Sequence, residues 1–209
     1  MSNSLSRRNF VQLGTAFGTA LLVFAQSPRP LAAAAAAVSG NPEAFDQAQW
    51  ASVEAITACI VPTDHEPGAL EANCVNFIDK VLVREDAALL PLYQAAITAL
   101  DKEAQLHFGR SFANADENER NQLLELFEAN KVSHWPDTLA INPQQFLQTV
   151  IVHTLMGFLA SPEYGGNRQY SGWKVVGYPG PEHHMGGYSR AQVEGRAAVL
   201  PVWAVKRES

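Results

Sequence analysis

The chain lacks the features of several common classes of protein. Its only cysteines are Cys59 and Cys74, which are too few and too far apart for a series of iron–sulfur ligands. The net charge of −6 leaves no basic excess, which argues against a nucleic-acid partner. A glycine-rich dinucleotide fingerprint, a Walker phosphate loop and a nucleophile elbow are all missing. We therefore expect no cofactor in this chain.

The composition is that of one folded domain with a leader. Of 209 residues, 47% are apolar and 17% are charged, as in soluble globular proteins. Residues 1–37 contain three arginines and no acid, so the remaining 12 basic and 21 acidic residues give residues 38–209 a net charge of −9. We expect residues 1–37 to be a signal peptide and residues 38–209 to be a single helical domain.

The leader carries an export address. Arg7 and Arg8 are followed by Phe10 and by an uncharged, moderately apolar run to residue 28, which is the twin-arginine pattern. The run is interrupted by polar residues, whereas a membrane-spanning helix needs about 20 predominantly apolar residues. Alanines at 32–37 offer signal-peptidase sites. These features predict export to the periplasm by the twin-arginine translocase; the alternative is an uncleaved N-terminal anchor.

Apolar spacing in the body predicts an all-α fold of about five helices. Asn41-Pro42 is typical of a helix start, and the first helix is expected to end at Pro62. Further helices are predicted over residues 71–85, 91–108 and 143–159, and after Asp116, where Asp116 and Glu119 form a capping-box pattern. No stretch alternates like a half-buried strand.

Residues 164–188 are rich in glycine and aromatic residues and follow the last long helix. Their length without periodicity indicates a functional segment. We expect an extended arm that binds a partner, with Trp173 and Tyr178 as anchors. The alternative is that both rings fold back onto the helices of this chain.

Few residues are candidates for chemistry. Asp64-His65-Glu66 and His183-His184 could ligate a metal, but adjacent residues rarely direct their donors at one ion. His153 lies on the apolar side of a helix, so a structural role with hydrogen bonds to loop backbone is expected rather than catalysis. Cys59 and Cys74 flank one helix–loop–helix turn. They could form a disulfide, remain two buried thiols, or bond to a partner chain.

Two sets of motifs resemble the gluconate 2-dehydrogenase subunit 3 family. The first is Ile60-Val61-Pro62-Thr63-Asp64-His65-Glu66-Pro67-Gly68-Ala69, followed by Val75-x-Phe77-Ile78-Asp79. The second runs from His153-Thr154-Leu155-Met156-Gly157-Phe158 through Tyr164-Gly165-Gly166-Asn167 and Gly172-Trp173 to Tyr178-Pro179-Gly180. Ser161 and Cys74 depart from the usual pattern, where Asp and a small residue are common.

The resemblance implies a noncatalytic small subunit of a periplasmic flavin-dependent dehydrogenase that is peripheral to the inner membrane. FAD would then lie in a large subunit and haem c in a cytochrome subunit, while this chain supports maturation and export of the large subunit. Within the glycine-rich arm described above, the residues that we expect to bind the partner are Tyr164, Gly165, Gly166, Asn167, Trp173, Tyr178, Pro179 and Gly180. Two alternatives remain: a stand-alone periplasmic enzyme with a histidine or metal site, and a sugar-binding module.

Overall fold

A computed structural model describes residues 42–181 and 187–199. The predicted leader, with Arg7, Arg8 and Phe10, lies outside these residues, as do His183 and His184. The described residues form seven α-helices and no strand, which confirms the all-α prediction. The helices are α1 (Gln47–Ile60), α2 (Cys74–Val81), α3 (Leu90–Phe108), α4 (Glu117–Glu128), α5 (Pro143–Leu159), α6 (Ser171–Val176) and α7 (Arg190–Val193). None of these described helices is both long enough and apolar enough to span a membrane.

Local sequence signals start three of the long helices. A capping box begins α1 at Asp46, and a second begins α4 at Asp116, as predicted. A third begins α5, where Asn142 accepts a hydrogen bond from the backbone N–H of Gln145. Such boxes satisfy backbone N–H groups that have no partner within the helix. The bounds of α5 agree with the predicted helix.

The first helix begins later than the sequence predicts. It starts at Gln47 rather than after Asn41-Pro42, because a buried carboxylate from α2 engages the preceding backbone. Asp79 is 1% exposed and accepts hydrogen bonds from the backbone N–H groups of Glu43, Ala44 and Phe45 at 2.7, 3.0 and 3.0 Å. These bonds tie residues 43–45 to α2, and the extended backbone of the N-cap Asp46 (ψ 174°) then starts the helix at Gln47.

Helices α2 and α5 pack closely at a glycine. A Cβ atom on Gly157 of α5 would lie 3.1 Å from Cβ of Phe77 and 3.2 Å from Cα of Cys74, both on α2. A larger residue at position 157 would therefore push the two helices apart. The main core lies around these helices, with the fully buried ring of Tyr93 in edge contact with Phe146.

The segment after α5 differs from the predicted extended arm. It forms short 3₁₀ turns at Pro162–Tyr164 and Arg168–Tyr170 and then the helix α6. Helix α6 packs on α5 and buries Trp173 to 6% exposure. The segment therefore folds back onto its own helices, as the alternative interpretation held. We call residues 160–180 the capping segment.

Candidate functional site

The capping segment satisfies the C-terminal carbonyl groups of α5. The backbone N–H of Asn167 donates to the Gly157 carbonyl at 2.6 Å, and its side-chain Nδ2 donates to the Ala160 carbonyl at 2.9 Å. The indole Nε1 of Trp173 donates to the Leu159 carbonyl at 2.7 Å. The last carbonyl groups of a helix have no partner within it. Three of these groups are therefore capped by residues that the sequence assigned to partner binding.

Asn167 is the centre of this cap. It is fully buried, and its Oδ1 accepts a hydrogen bond from the backbone N–H of Gly172 at 2.9 Å. Its φ of 44° places it in the left-handed region, where asparagine is tolerated better than most residues. Its side chain thus ties the start of α6 to the end of α5.

Glycines at 166 and 172 allow the backbones to approach. A Cβ atom at Gly166 would overlap the Gly157 carbonyl, and one at Gly172 would overlap the Phe158 carbonyl. Only glycine leaves room for such close contact between backbones. These two glycines are therefore needed for the cap to close on α5.

Three aromatic residues of the capping segment pack against one another. Tyr170 and Trp173 lie nearly parallel with ring centroids 5.5 Å apart, and Tyr178 meets Trp173 edge-on at 4.9 Å. Tyr178 is half-buried, and Gly180 is buried. Tyr164, by contrast, is 53% exposed. Most of the predicted partner-binding residues therefore have contacts within the chain, and Tyr164 presents most of its ring to solvent.

The structure brings the two sets of motifs together. The backbone N–H of Arg168 donates to the Ala72 carbonyl at 3.1 Å, and its Nε donates to the Glu71 carbonyl at 3.0 Å. Nearby, Nδ2 of Asn76 donates to the Gly165 carbonyl at 2.7 Å. The loop before α2 and the capping segment after α5 are thus joined, although they lie about 90 residues apart.

A glutamate organises the Pro-Thr-Asp loop, residues 62–68. Oε2 of Glu71 accepts hydrogen bonds from the Thr63 hydroxyl at 2.6 Å and from the Gly68 N–H at 2.7 Å. Gly68 must be glycine, because a Cβ atom there would lie 2.6 Å from the Val61 carbonyl oxygen. Sequence reasoning missed Glu71, since the motif quoted for the resemblance ends at Ala69.

Comparison with known families agrees with this arrangement. The model of the family described as Gluconate 2-dehydrogenase subunit 3 matches residues 47–180. The chain belongs to this family. The match begins at the first residue of α1 and ends with the capping segment, so it contains both sets of motifs. Searches of curated proteins and of solved structures gave no significant match.

Family membership makes the chain a subunit of a gluconate 2-dehydrogenase-type complex.

In this subunit 3 protein, His153 is buried and contacts the side chains of buried Tyr93 and of half-exposed Asp86. Its Nδ1 lies 2.8 Å from the Tyr93 hydroxyl, and its Nε2 lies 3.2 Å from Oδ2 of Asp86. Burial lowers the pKa of His153, which the Asp86 carboxylate partly opposes. These partners are side chains rather than the loop backbone that the sequence predicted.

Besides that of Asp79, the buried carboxylate of Glu103 lies between two histidines. Oε1 of Glu103 is 2.8 Å from Nδ1 of His134, and Oε2 is 3.5 Å from Nε2 of His107. Its side chain is 1% exposed, and Oε2 has no hydrogen bond within the described part of the chain. Across residues 42–181 and 187–199, however, no three His, Cys, Asp or Glu side chains are placed to hold a metal ion. Sequence reasoning did not single out this cluster.

The remaining candidate residues of the sequence, the Asp64-His65 pair and the two cysteines, lie at separate places in the fold. Asp64 and His65 are exposed on the turn of the Pro-Thr-Asp loop, 3.3 Å from each other. Cys59 and Cys74 are free thiols that pack in different apolar clusters, Cys59 at the main core and Cys74 in a smaller one with Phe158. The structure therefore contains two separate thiols and not the disulfide. Burial raises the pKa of Cys59 to about 12, so its reactive thiolate form is suppressed.

Proposed function

We propose that this chain is the noncatalytic small subunit of a periplasmic, membrane-associated flavin-dependent dehydrogenase. In this proposal it binds the FAD-bearing large subunit and supports its maturation and its export by the twin-arginine translocase. A cytochrome c subunit then passes the electrons onward. The observation that carries the proposal is membership of the subunit 3 family over residues 47–180.

The leader supplies the link to export. Arg7 and Arg8 precede an apolar run in a segment with no acidic residue, and such a pair is an address read by a receptor. The twin-arginine route carries folded proteins. A flavoprotein can therefore take up FAD first and then cross the membrane bound to a companion that carries the address.

Replacing both Arg7 and Arg8 with lysine tests this role. We expect the variant and its co-expressed flavoprotein to remain in the cytoplasm, because the translocase receptor no longer reads the leader. The measurement is flavoprotein activity and antibody signal in periplasmic and cytoplasmic fractions. Arg29→Lys is the matched control, since it changes an arginine of the same leader outside the pair.

Flavoprotein activity that stays periplasmic in the double variant would contradict the escort role. The alternative of a stand-alone enzyme has its own test on the purified chain. Bound metal together with turnover in the absence of any flavoprotein would favour that alternative.

A further inference from the structure

The buried carboxylate of Glu103, on α3, has its two oxygens in different environments. Its side chain is 1% exposed. Oε1 accepts a hydrogen bond from the backbone N–H of His134 at 2.7 Å and lies 2.8 Å from Nδ1 of the same residue. Oε2 has no hydrogen bond within residues 42–181 and 187–199. A buried charged oxygen without a partner is costly, so a positively charged ligand would stabilise it.

The imidazole of His107 lies next to this oxygen. Glu103 and His107 are four residues apart on α3, so their side chains leave the same side of the helix. Nε2 of His107 is 3.5 Å from Oε2 of Glu103 and makes no hydrogen bond to it. The side chain of His107 is 42% exposed, so solvent and dissolved ions reach this imidazole.

The distance between these two donors fits two ligands of one metal ion. Zinc binds imidazole nitrogen and carboxylate oxygen at about 2.0–2.2 Å and favours tetrahedral geometry. Two donors held in this way lie about 3.3–3.5 Å apart. The observed separation of Oε2 and Nε2, 3.5 Å, lies at the upper end of this range. A zinc ion can therefore bind both atoms with little movement of either side chain.

His134 holds the carboxylate in place from a second part of the chain. It lies between α4 and α5, and its backbone N–H and Nδ1 both contact Oε1 of Glu103. An ionised carboxylate only accepts hydrogen bonds, so Nδ1 carries the proton of this contact. Carboxylates that ligate a metal are normally hydrogen-bonded in this way by an outer residue. His134 therefore fixes Oε1 and leaves Oε2 as the oxygen that can bind an ion.

Other pairs of a carboxylate and an imidazole lack this arrangement. Asp64 and His65 lie 3.3 Å apart, but both are exposed, and Oδ1 of Asp64 accepts a hydrogen bond from the Glu66 N–H. The imidazole of His153 has both nitrogens in contact with other side chains. Among the described residues, Oε2 of Glu103 is the only buried side-chain oxygen or nitrogen without a hydrogen bond.

We propose that Glu103 and His107 bind a divalent transition-metal ion of the zinc type through Oε2 and Nε2. Water fills the remaining coordination positions. Closed zinc sites use three or four protein ligands, whereas no group of three ligating side chains occurs within the described part of the chain. The ion therefore exchanges with solvent. The imidazole ligand favours zinc over Mg²⁺, which prefers oxygen ligands and retains its water.

Zinc titration of the purified full chain, prepared without a polyhistidine tag, tests the site. Isothermal titration calorimetry measures the affinity for Zn²⁺ and, as a comparison, for Mg²⁺. We expect a zinc site that His107→Ala weakens at least tenfold, because one of its two protein ligands is lost. His65→Ala is the matched control, since it removes an exposed histidine that also lies beside a carboxylate. Mg²⁺ should give no binding at this site.

Two further measurements separate metal binding from folding. The melting temperature of each variant in the presence of a chelator shows that the domain folds without the ion. Zinc should then raise the melting temperature of the wild type and of His65→Ala, but not that of His107→Ala. His134→Ala keeps both ligands but loses the side chain that orients Glu103, so it should weaken zinc binding about tenfold. Co²⁺ in place of Zn²⁺ reports the ligands through its visible absorption spectrum.

The site does not depend on the function proposed above, because the isolated chain is sufficient for each measurement. A wild-type chain that binds no zinc would overturn the inference and leave Glu103 and His107 as an ion pair only. Zinc affinity and a cobalt spectrum that His107→Ala leaves unchanged would also overturn it, since the ion would then bind elsewhere, for example at His183-His184. Loss of binding on His65→Ala would assign the ion to the Pro-Thr-Asp loop and would equally refute the site on α3.

Discussion

Replacement of Asn167 by alanine should strongly destabilise the isolated domain. The change removes the hydrogen bond to the Ala160 carbonyl and the one from the Gly172 N–H, while the backbone bond to Gly157 can persist. Removing one partner leaves the other group unpaired: this costs about 1 kcal/mol for the part-buried Ala160 carbonyl and about 2 kcal/mol for the buried Gly172 N–H. Alanine at a φ of 44° adds about 1 kcal/mol of backbone strain.

These contributions give a loss of about 4 kcal/mol in the free energy of unfolding. For a domain of this size, about 2–4 °C of melting temperature is lost per kcal/mol, so we expect a decrease of about 10 °C. Urea denaturation of the wild type and the variant provides the free energy. Hydrogen exchange should show faster opening in the last turn of α5, which the cap holds.

Two further substitutions separate the loss of hydrogen bonds from the backbone strain as causes of the lower stability. Asn167→Gly loses the same side-chain bonds but tolerates the left-handed backbone, so it should be about 1 kcal/mol more stable than Asn167→Ala. Asn114→Ala is the control, because Asn114 is exposed and, among the described residues, its side chain bonds to its near neighbour Ser111. A loss below about 1 kcal/mol for Asn167→Ala would refute the cap as we describe it.

Two other predictions concern buried ionisable groups. Burial lowers the pKa of His153 in the folded chain, so the unfolded chain binds a proton on this imidazole more readily than the folded chain does. The stability that neutral His153 contributes should therefore be lost as pH falls below about 6.5. The difference in unfolding free energy between wild type and His153→Gln should therefore shrink between pH 7.5 and 5.5; parallel pH profiles would contradict this. Asp79→Asn leaves one acceptor oxygen for three backbone N–H donors. It should therefore lower the free energy of unfolding, measured by urea denaturation, by about 3 kcal/mol. Asp137→Asn, at an exposed position, is its control, and equal stability of the two variants would exclude the role of Asp79.

Elements with local signals were predictable from the sequence. Asp116 and Glu119 lie three residues apart and form the capping box that their spacing predicts. Helix α5 begins with Asn142-Pro143, a cap followed by a proline in the first turn, and it ends where Pro162 follows. Each of these signals acts over a few residues, so the sequence alone contains the physical cause.

Contacts between distant residues were not predictable in this way. Asp79 reaches backbone groups 34–36 residues away, and His153 meets Tyr93 and Asp86 across 60 and 67 residues. Neither contact leaves a periodic pattern in the sequence. The predicted start of α1 was wrong for this reason. Asn41-Pro42 is a local signal for a helix start, but the hydrogen bonds of residues 43–45 to the distant carboxylate of Asp79 outweigh it.

The resemblance identified residues of the capping segment without their physical role. Glycine and aromatic residues are typical both of interface anchors and of tight helix caps, so composition could not separate the two. The deciding facts are three-dimensional: Trp173 is 6% exposed, and its indole donates to the Leu159 carbonyl.

This distinction changes how association data on the capping segment should be interpreted. Loss of Asn167 or Trp173 would loosen the end of α5 and lower the stability of the isolated chain, whether or not either residue touches a partner. An association assay alone would assign both to the interface. An exposed residue such as Tyr164, at 53% exposure, should instead lose its side chain at an almost unchanged melting temperature, so any effect on association would report contact with the partner. Measuring association and melting temperature for each variant therefore separates a residue that binds the partner from one that holds α5 in place.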